Sequence, residues 1–536
     1  MATGHRSIVK DPAKAFISTW RTSTVYTGST ANNQIKLPLE VAGTYKFTVQ
    51  WGDGTSSLIT VWNQAETTHT YPAPGDYTVT ITGFIKGWDF GQGGPVAPTT
   101  GDMRKLLTIT QFGCLRLVTH LDPTPTQFWG TFYGCTNLTL TGVTDMPNFK
   151  GTVSTHGFLR LAASITNIPN INKWDVSKIQ IFRSMLREMP LFDGNIGNWN
   201  TRSATNFIAI LAGSYSVAPY GSFNNGGSDS IKNWNTSNLI EMATAFGAQP
   251  LFNQEIGNWD VSNVTNMTSL FQMPNVVQGI FNNAESDSIK NWNTSKVTTM
   301  ASLFYNQREF NQEVGLWNVS NVTNLRFMFA SVGSFLGKFN NAGSNSIKNW
   351  NTSKVTDMSS TFQQLQYFDQ EIGIWDVSKV TSFFATLYCF TSPNIFGKFN
   401  NGGSPSINNW NLSSALSIDR IFFGQSLFNQ PINGWNTTTV TNMGNPFTYN
   451  YAFNQPIGNW NVSNVTNFSG NFMNYKTFND YSAANYDALL IGWASRPVKP
   501  NLSINFNTIK RTDASTAARG ILTSAPNNWT ITDGGI

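Results

Sequence analysis

The 536-residue sequence predicts a mainly β, α+β fold: a right-handed solenoid of stacked repeats behind a small β-sandwich. Three observations predict it. Tryptophan recurs at steps of 25 and 33 or 35 residues from Trp174 to Trp460, the residues around each tryptophan keep one apolar spacing, and the first 90 residues alternate apolar and polar side chains between turn signals.

The chain opens with a polar arm, residues 1–14, and the sandwich is expected over 15–90. Runs at 45–51, 57–62, 67–71 and 76–81 alternate with period two, as half-buried strands do. Gly52-Asp53-Gly54 and Pro72-Ala73-Pro74-Gly75 supply turns between them. Seven or so such strands make two packed sheets. The Gly- and Pro-rich stretch 91–101 is the expected boundary. Residues 102–173 then hold degenerate repeats, FYGCTNL at 132–138 and ITNIP at 165–169, which cap the open end of the solenoid.

The regular repeats run over 174–478. Successive tryptophans lie 25, 35, 25, 33, 25, 33, 25, 35, 25 and 25 residues apart, so short and long units alternate in pairs of 58 or 60. In a short unit, Ile256, Trp259, Val261 and Val264 have the LxxLxL spacing of a leucine-rich repeat. That spacing predicts a strand with Trp259 and Val261 inward and Asp260 outward. Val264, Met267, Leu270 and Phe271 follow at three- and four-residue steps and predict a helical turn or two. Roughly thirteen such coils at an inter-strand spacing of ~4.8 Å extend over about 60 Å. The long unit holds four more residues between Phe281 and Trp292, while the spacing from Ile289 to Trp292 equals that from Ile256 to Trp259. The added residues are therefore expected to loop outward. Residues 479–536 form the C-terminal cap, with helical spacing over 486–493 and a last strand and turn over 529–535.

Charged residues make up only 12% of the chain, and the net charge of +5 gathers into no basic stripe, which argues against a nucleic-acid partner. Cys114, Cys135 and Cys389 form no disulfide framework and no CxxC pair, so they read as three small buried hydrophobes. No apolar run approaches the length that crosses a bilayer, and none follows the polar arm as a leader's apolar region does. Neither export through a cleaved leader nor membrane insertion is expected.

The unit FNQEIGNWDVSNVTNM at 252–267 resembles the surface-protein repeat of the BspA-like leucine-rich-repeat family, found in bacterial surface proteins and in viral genomes. The resemblance covers residues 128–535 and includes YDALLIGWAS and WTITDGG near the end. The segment FTVQWGDGT…HTYPAPGDYTVTITG, between 47 and 83, is similar to a PKD-type sandwich. The resemblance implies binding: adhesion, matrix or glycan contact, or particle structure.

Catalysis is the rival class. A glycosidase needs one pair of carboxylates whose pKa values are driven apart. Here Glu255, Glu313 and Glu371 recur at steps of 58, and Asp260 and Asp376 share a slot that Asn fills elsewhere. Repeated carboxylates make a ladder and no site. His5, His69, His120 and His156 lie outside the regular repeats without metal spacing and read as turn or surface residues. Asp53 is a turn residue before it is a calcium ligand, since it lacks a D-x-D partner. Sequons such as Asn263-Val264-Thr265 read as side chains bonded to backbone at turns, and the repeated Trp as core. No enzyme activity, metal or cofactor is expected.

The sequence thus reads as a non-enzymatic recognition, attachment or structural protein. Its expected place is the surface of a phage or viral particle, as a tail-fibre, decoration or capsid-associated protein, with a secreted bacterial cell-surface adhesin as the alternative. Expected partners are other virion or surface proteins, or a host-surface glycan or protein; self-association into a homo-oligomer stays open. The outward loops of the long units are the candidate recognition ridge. It comprises Phe223, Phe281, Phe339 and Phe399, the amides Asn282, Asn340 and Asn400, and the ammonium groups Lys232, Lys290 and Lys348. On this reading the loops shorten without loss of stability.

Overall fold

The computed structural model describes residues 14–91, 100–117, 130–469, 471–476 and 480–536. The expected polar arm (Lys14 apart), His5, His120 and most of the 91–101 boundary lie outside the described residues. Contacts divide the chain into two compact units, one up to Leu239 and one from Ile240 to Ile536. The fold is mostly β with short turns, and two short α-helices are its only α-helices among the described residues.

In the first unit, β1 (Phe16–Arg21), β3 (Leu39–Gln50), β4 (Ser56–Ile59), β6 (Asp76–Trp88), β7 (Leu106–Gln111) and β8 (Leu115–Arg116) form one sheet. Its order is β4-β3-β6-β1-β7, with β8 beside β6. A second, two-stranded sheet pairs β2 (Gln34–Lys36) with β5 (Thr68–Thr70). The alternation read from the sequence places Phe47, Val49, Ile59, Val79 and Ile81 inward, where they are buried with Trp20, Trp51 and Trp88. The expected limit at residue 90 is corrected: β7 and β8 lie beyond it yet belong to the first sheet. β7 pairs antiparallel with β1, and Thr108 also bridges in parallel to Thr139 of the first degenerate repeat. One strand thus serves both the sheet and the repeats.

Within each unit, successive repeats hydrogen-bond through short parallel bridges. In the first unit Ser154 bridges to Ile181 and Ile181 to Asn206; in the second, Asn266, Thr299, Asn324, Asp357, Ser382, Ser417, Asn442 and Asn467 bridge in succession. The bridge sits seven residues after the tryptophan and not on it. Around Trp259 the backbone turns twice instead of extending: the Trp259 amide donates to the Ile256 carbonyl, and the Val264 amide to that of Val261. The Asp260 carboxylate accepts from the Ser262 amide at 2.9 Å. Trp259 and Val261 are buried as expected, but by turns and not by a strand.

The helical turn expected over 264–271 is also absent. Met267, Ser269, Phe271 and Met273 donate their amides to the next coil, at Thr299, Ala301, Leu303 and Tyr305. Between them, Leu270 and Gln272 close i→i−3 turns, and Ser269 stands at φ 58°. A left-handed residue ends any helix, and it lets alternate amides point along the stacking direction.

Aromatic side chains stack in register with this ladder. In the second unit Phe252, Phe281, Phe310, Phe339, Phe368, Phe399, Phe428 and Phe453 follow one another at 5.9 to 6.1 Å between centroids. The indole N–H groups of Trp292, Trp317, Trp350, Trp375, Trp410, Trp435 and Trp460 each donate to an Ile or Val carbonyl of the preceding repeat at 2.8 to 3.2 Å. The buried indole therefore has its polar partner, as a core Trp requires.

The hairpin of β9 (Phe390–Thr391) and β10 (Ile395–Phe396) projects from one long unit. At the C-terminal end, α1 (Ala483–Ala494) lies where the spacing predicts a helix and buries Tyr486, Leu489, Leu490 and Trp493. β11 (Ser503–Asn505) pairs in parallel with β12 (Thr530–Thr532), and α2 (Thr516–Thr523) lies between them in the chain.

Candidate recognition surface

The long units are built around a buried asparagine clasp. Asn225, Asn283, Asn341 and Asn401 are fully buried, with φ between 52 and 58°. Asparagine is the side chain that tolerates this conformation and can still bond locally. Asn341 Oδ1 accepts from the Val314 and Gly315 amides at 2.8 and 3.2 Å, while Nδ2 donates to the Ser344 carbonyl and to Ser346 Oγ at 2.6 and 3.1 Å. Asn401 repeats this with Ile372, Gly373, Ser404 and Ser406. Ser286, Ser344 and Ser404 then cap short 3₁₀ turns, Asp287–Asn291, Asn345–Asn349 and Pro405–Asn409.

The structure places most of the ridge residues inside the scaffold. Phe223, Phe281, Phe339 and Phe399 are at most 2% exposed, because each fills a rung of stacked rings and is not left in an outward loop. Asn282, Asn340 and Asn400 form a second ladder. Asn282 Oδ1 accepts from the Asn311 amide at 2.9 Å, Asn340 Oδ1 from the Asp369 amide at 3.1 Å, and Asn400 Oδ1 from the Asn429 amide at 3.0 Å. Lys232, Lys290 and Lys348 reach the surface, but each already faces a carboxylate: Asp229 at 2.5 Å, Asp287, and Glu371 at 3.7 Å. The loops are thus part of the scaffold, and shortening them removes its clasps.

The repeated carboxylates are committed in the same way. Glu255, Glu313 and Glu371 each accept from two serine hydroxyls of the following unit, Ser286 and Ser288, Ser344 and Ser346, or Ser404 and Ser406. Those bonds hold the carboxyls of Glu313 and Glu371 below the ordinary range. Asp260 and Asp376, like Asn293, Asn318 and Asn351 in the same slot, accept from the amide two residues on, the bond of an Asx turn. In the first unit Asp53 is a turn residue as well: Oδ1 accepts from Thr55, and Oδ2 lies 2.8 Å from His69 Nε2, whose ring stacks on Trp51. His156 is buried and is not a surface residue. The three cysteines are buried and unbridged.

A different surface emerges near the C-terminal end of the second unit. Tyr388, Phe423, Tyr449 and Tyr475 come from four successive coils, and Phe390 and Phe396 from the hairpin. Phe390, Tyr449 and Tyr475 stack at 4.5 and 4.1 Å, within 11° of parallel, and Phe423 meets Tyr449 edge-on at 5.6 Å. Tyr475, at the end of the stack, is 49% exposed. Together with Arg420, Asn445, Thr448, Asn471 and Asn474, the rings of Tyr388, Phe390, Phe423, Tyr449 and Tyr475 line a cleft of about 480 Å³.

The cleft is anchored from below. Buried Gln364 donates Nε2 to the Phe390 carbonyl and accepts the Phe390 amide, at 2.9 and 2.8 Å. Buried Lys476 donates to the carbonyls of Asn450 and Tyr451 at 2.5 and 3.1 Å, and desolvation lowers its pKa to about 8. Burial and the neighbouring Tyr475 push the Tyr449 phenol up to about 12, so it stays a neutral hydrogen-bonding group. None of these residues was singled out from the sequence. The slot of Tyr388 and Phe423 is held by Gln272, Ala330 and Gln363 in other coils but by Tyr305 in one, so an aromatic there does not by itself mark the cleft.

Residues 157–278, 275–394 and 391–489 each match the family described as a Mycoplasma protein of unknown function, DUF285. The chain belongs to the DUF285 family. The first two DUF285 matches each span close to two of the 58- or 60-residue pairs, so the family unit contains both kinds of coil. The aromatic cleft lies within the second and third DUF285 copies. No curated protein and no solved structure matches the chain.

Proposed function

We propose that this DUF285 repeat protein is a non-enzymatic recognition or attachment protein, a leucine-rich-repeat-like right-handed solenoid behind a PKD-like sandwich. The observation that carries the proposal is the division of labour among its polar groups. The repeated carboxylates and amides bond within the scaffold, and the aromatic cleft is lined by no carboxylate among the described residues. Acid–base cleavage of a glycoside needs such a pair. The proposed setting is the outer surface of a phage or viral particle, where the chain contacts a host-surface glycan or protein, or neighbouring subunits. The alternative setting is the surface of a bacterial cell, as a secreted adhesin. Among the described residues no helix is long and apolar enough to cross a membrane.

Immunogold electron microscopy separates the settings. Label on purified particles supports the first, label on intact cells the second, and label confined to the cell interior contradicts both. A test for turnover of oligosaccharides by the purified chain checks the non-enzymatic part, for which no product is expected.

A further inference from the structure

The aromatic cleft of the second unit brings solvent-facing rings and side-chain amides together. In the phenylalanine ladder each inner ring is buried between two others, and a side-chain amide such as that of Asn340 holds a backbone amide. Here Tyr475 closes a stack of three rings and stands half in solvent, with Tyr451 38% exposed nearby. The hairpin of β9 and β10 brings Phe390 onto that stack from a coil some 60 residues earlier in the chain. Across the cleft stand the side-chain amides of Asn471 and Asn474, where Asn474 Nδ2 donates to Asn471 Oδ1 at 3.2 Å and Asn474 Oδ1 accepts the Tyr475 amide at 3.0 Å, with one cation, Arg420, whose side chain is 44% exposed.

We propose that this cleft binds a pyranose ring of a carbohydrate, an assignment that rests on the recognition role above and names its ligand class. A pyranose has an apolar face of C–H bonds and a rim of hydroxyls. The ring face packs on an aromatic face, and each hydroxyl both donates and accepts, which side-chain amides match with one acceptor and two donors. Few polar groups at fixed places beside an apolar wall is the usual composition of a small-ligand site. The site is preformed, because Gln364 fixes the hairpin and Lys476 fixes the turn that carries Asn450 and Tyr451. A single-stranded nucleic acid also stacks on aromatic rings, but it needs a basic track along its phosphates, and Arg420 is the only cation lining the cleft among the described residues. A lipid chain has no use for the amides.

The test is an array of immobilised neutral hexose, N-acetylhexosamine and uronate oligosaccharides, probed with the full chain and with Y449A, Y475A and Y475F. Binding to a subset of glycans is expected, weakened by about tenfold or more in Y449A and Y475A, as truncating an aromatic anchor does. Y475F should bind within about threefold of the parent, because the ring and not the hydroxyl supplies the stacking. Tyr475 is half exposed, so Y475A should melt with the parent, which separates lost binding from lost fold. No glycan bound by the parent, equal binding by Y475A and the parent, or preference for a single-stranded oligonucleotide on the same array each overturns the assignment. Attachment of the parent to host cells that Y475A retains in full also overturns it, while leaving the wider recognition role in place.

Discussion

Replacing Asn341 by alanine should destabilise the second unit far more than replacing its neighbour Asn340. Asn341 is fully buried at φ 52°, and its side chain holds the Val314 and Gly315 amides and the Ser344 carbonyl. Alanine leaves these buried groups without that partner, at roughly 1–3 kcal/mol for the unmet desolvation. It also adds about 1–2 kcal/mol for a Cβ in the left-handed region without a side-chain bond to compensate. The expected loss is about 2–5 kcal/mol. Asn340 is half-buried and accepts from the Asp369 amide and Gln370 Nε2 at 3.1 and 2.9 Å, groups that water can reach once the side chain is gone. Its loss should cost about 1 kcal/mol. Urea unfolding followed by tryptophan fluorescence measures both, and N341G, which removes the conformational part alone, should recover about 1 kcal/mol of the N341A loss. If N341A and N340A unfold within ~0.5 kcal/mol of each other, the clasp is not what holds the long unit.

Three further outcomes follow from the same structure. Trp350 donates its indole N–H to the Val314 carbonyl and stacks on Trp375 at 5.6 Å, so W350A should cost ~3–5 kcal/mol in urea unfolding and W350F distinctly less. Asp53 should show in acid. Burial raises its carboxyl, but bonds from Thr55 and His69 win and bring it to about 2, below its unfolded value near 4. The stability it contributes is therefore complete above pH 4 and lost as pH falls from 4 towards 2, and D53N should flatten that part of the curve. Among the described residues no three His, Cys, Asp or Glu side chains gather to hold a metal. Excess EDTA should accordingly leave the melting temperature unchanged, and a drop of several degrees would reveal a site that this account lacks.

The period of the repeats was legible in the sequence because burial of Trp and Phe once per coil is a chemical requirement that leaves a spacing behind. So were several strands of the first sheet, where alternation reports a half-buried face, and α1, where Tyr486, Leu489, Leu490 and Trp493 share one side. Conformation within the coil was not legible. Trp259 and Val261 were placed inward correctly, yet spacing cannot distinguish a strand from two consecutive turns that bury the same side chains. The left-handed positions fall on Ser269, Ser302, Phe327 and Ser360, residues that announce no such conformation as glycine does. The long units misled for a further reason. Counting extra residues between Phe281 and Trp292 suggests an outward loop, but it cannot reveal that Asn283 turns inward and that Phe281 fills a gap between Phe252 and Phe310. The cleft escaped because its members lie between Tyr388 and Tyr475, and only the stacking of coils brings them together.

Amide hydrogen exchange tests most directly whether the long units are scaffold or recognition loop. Peptides carrying the Val314, Gly315, Ile372 and Gly373 amides, held by buried Asn341 and Asn401, should exchange as slowly as those carrying the Trp317 and Trp375 amides of the core. Exchange of the first set at the rate of exposed loops, with the tryptophan amides still protected, would contradict the account.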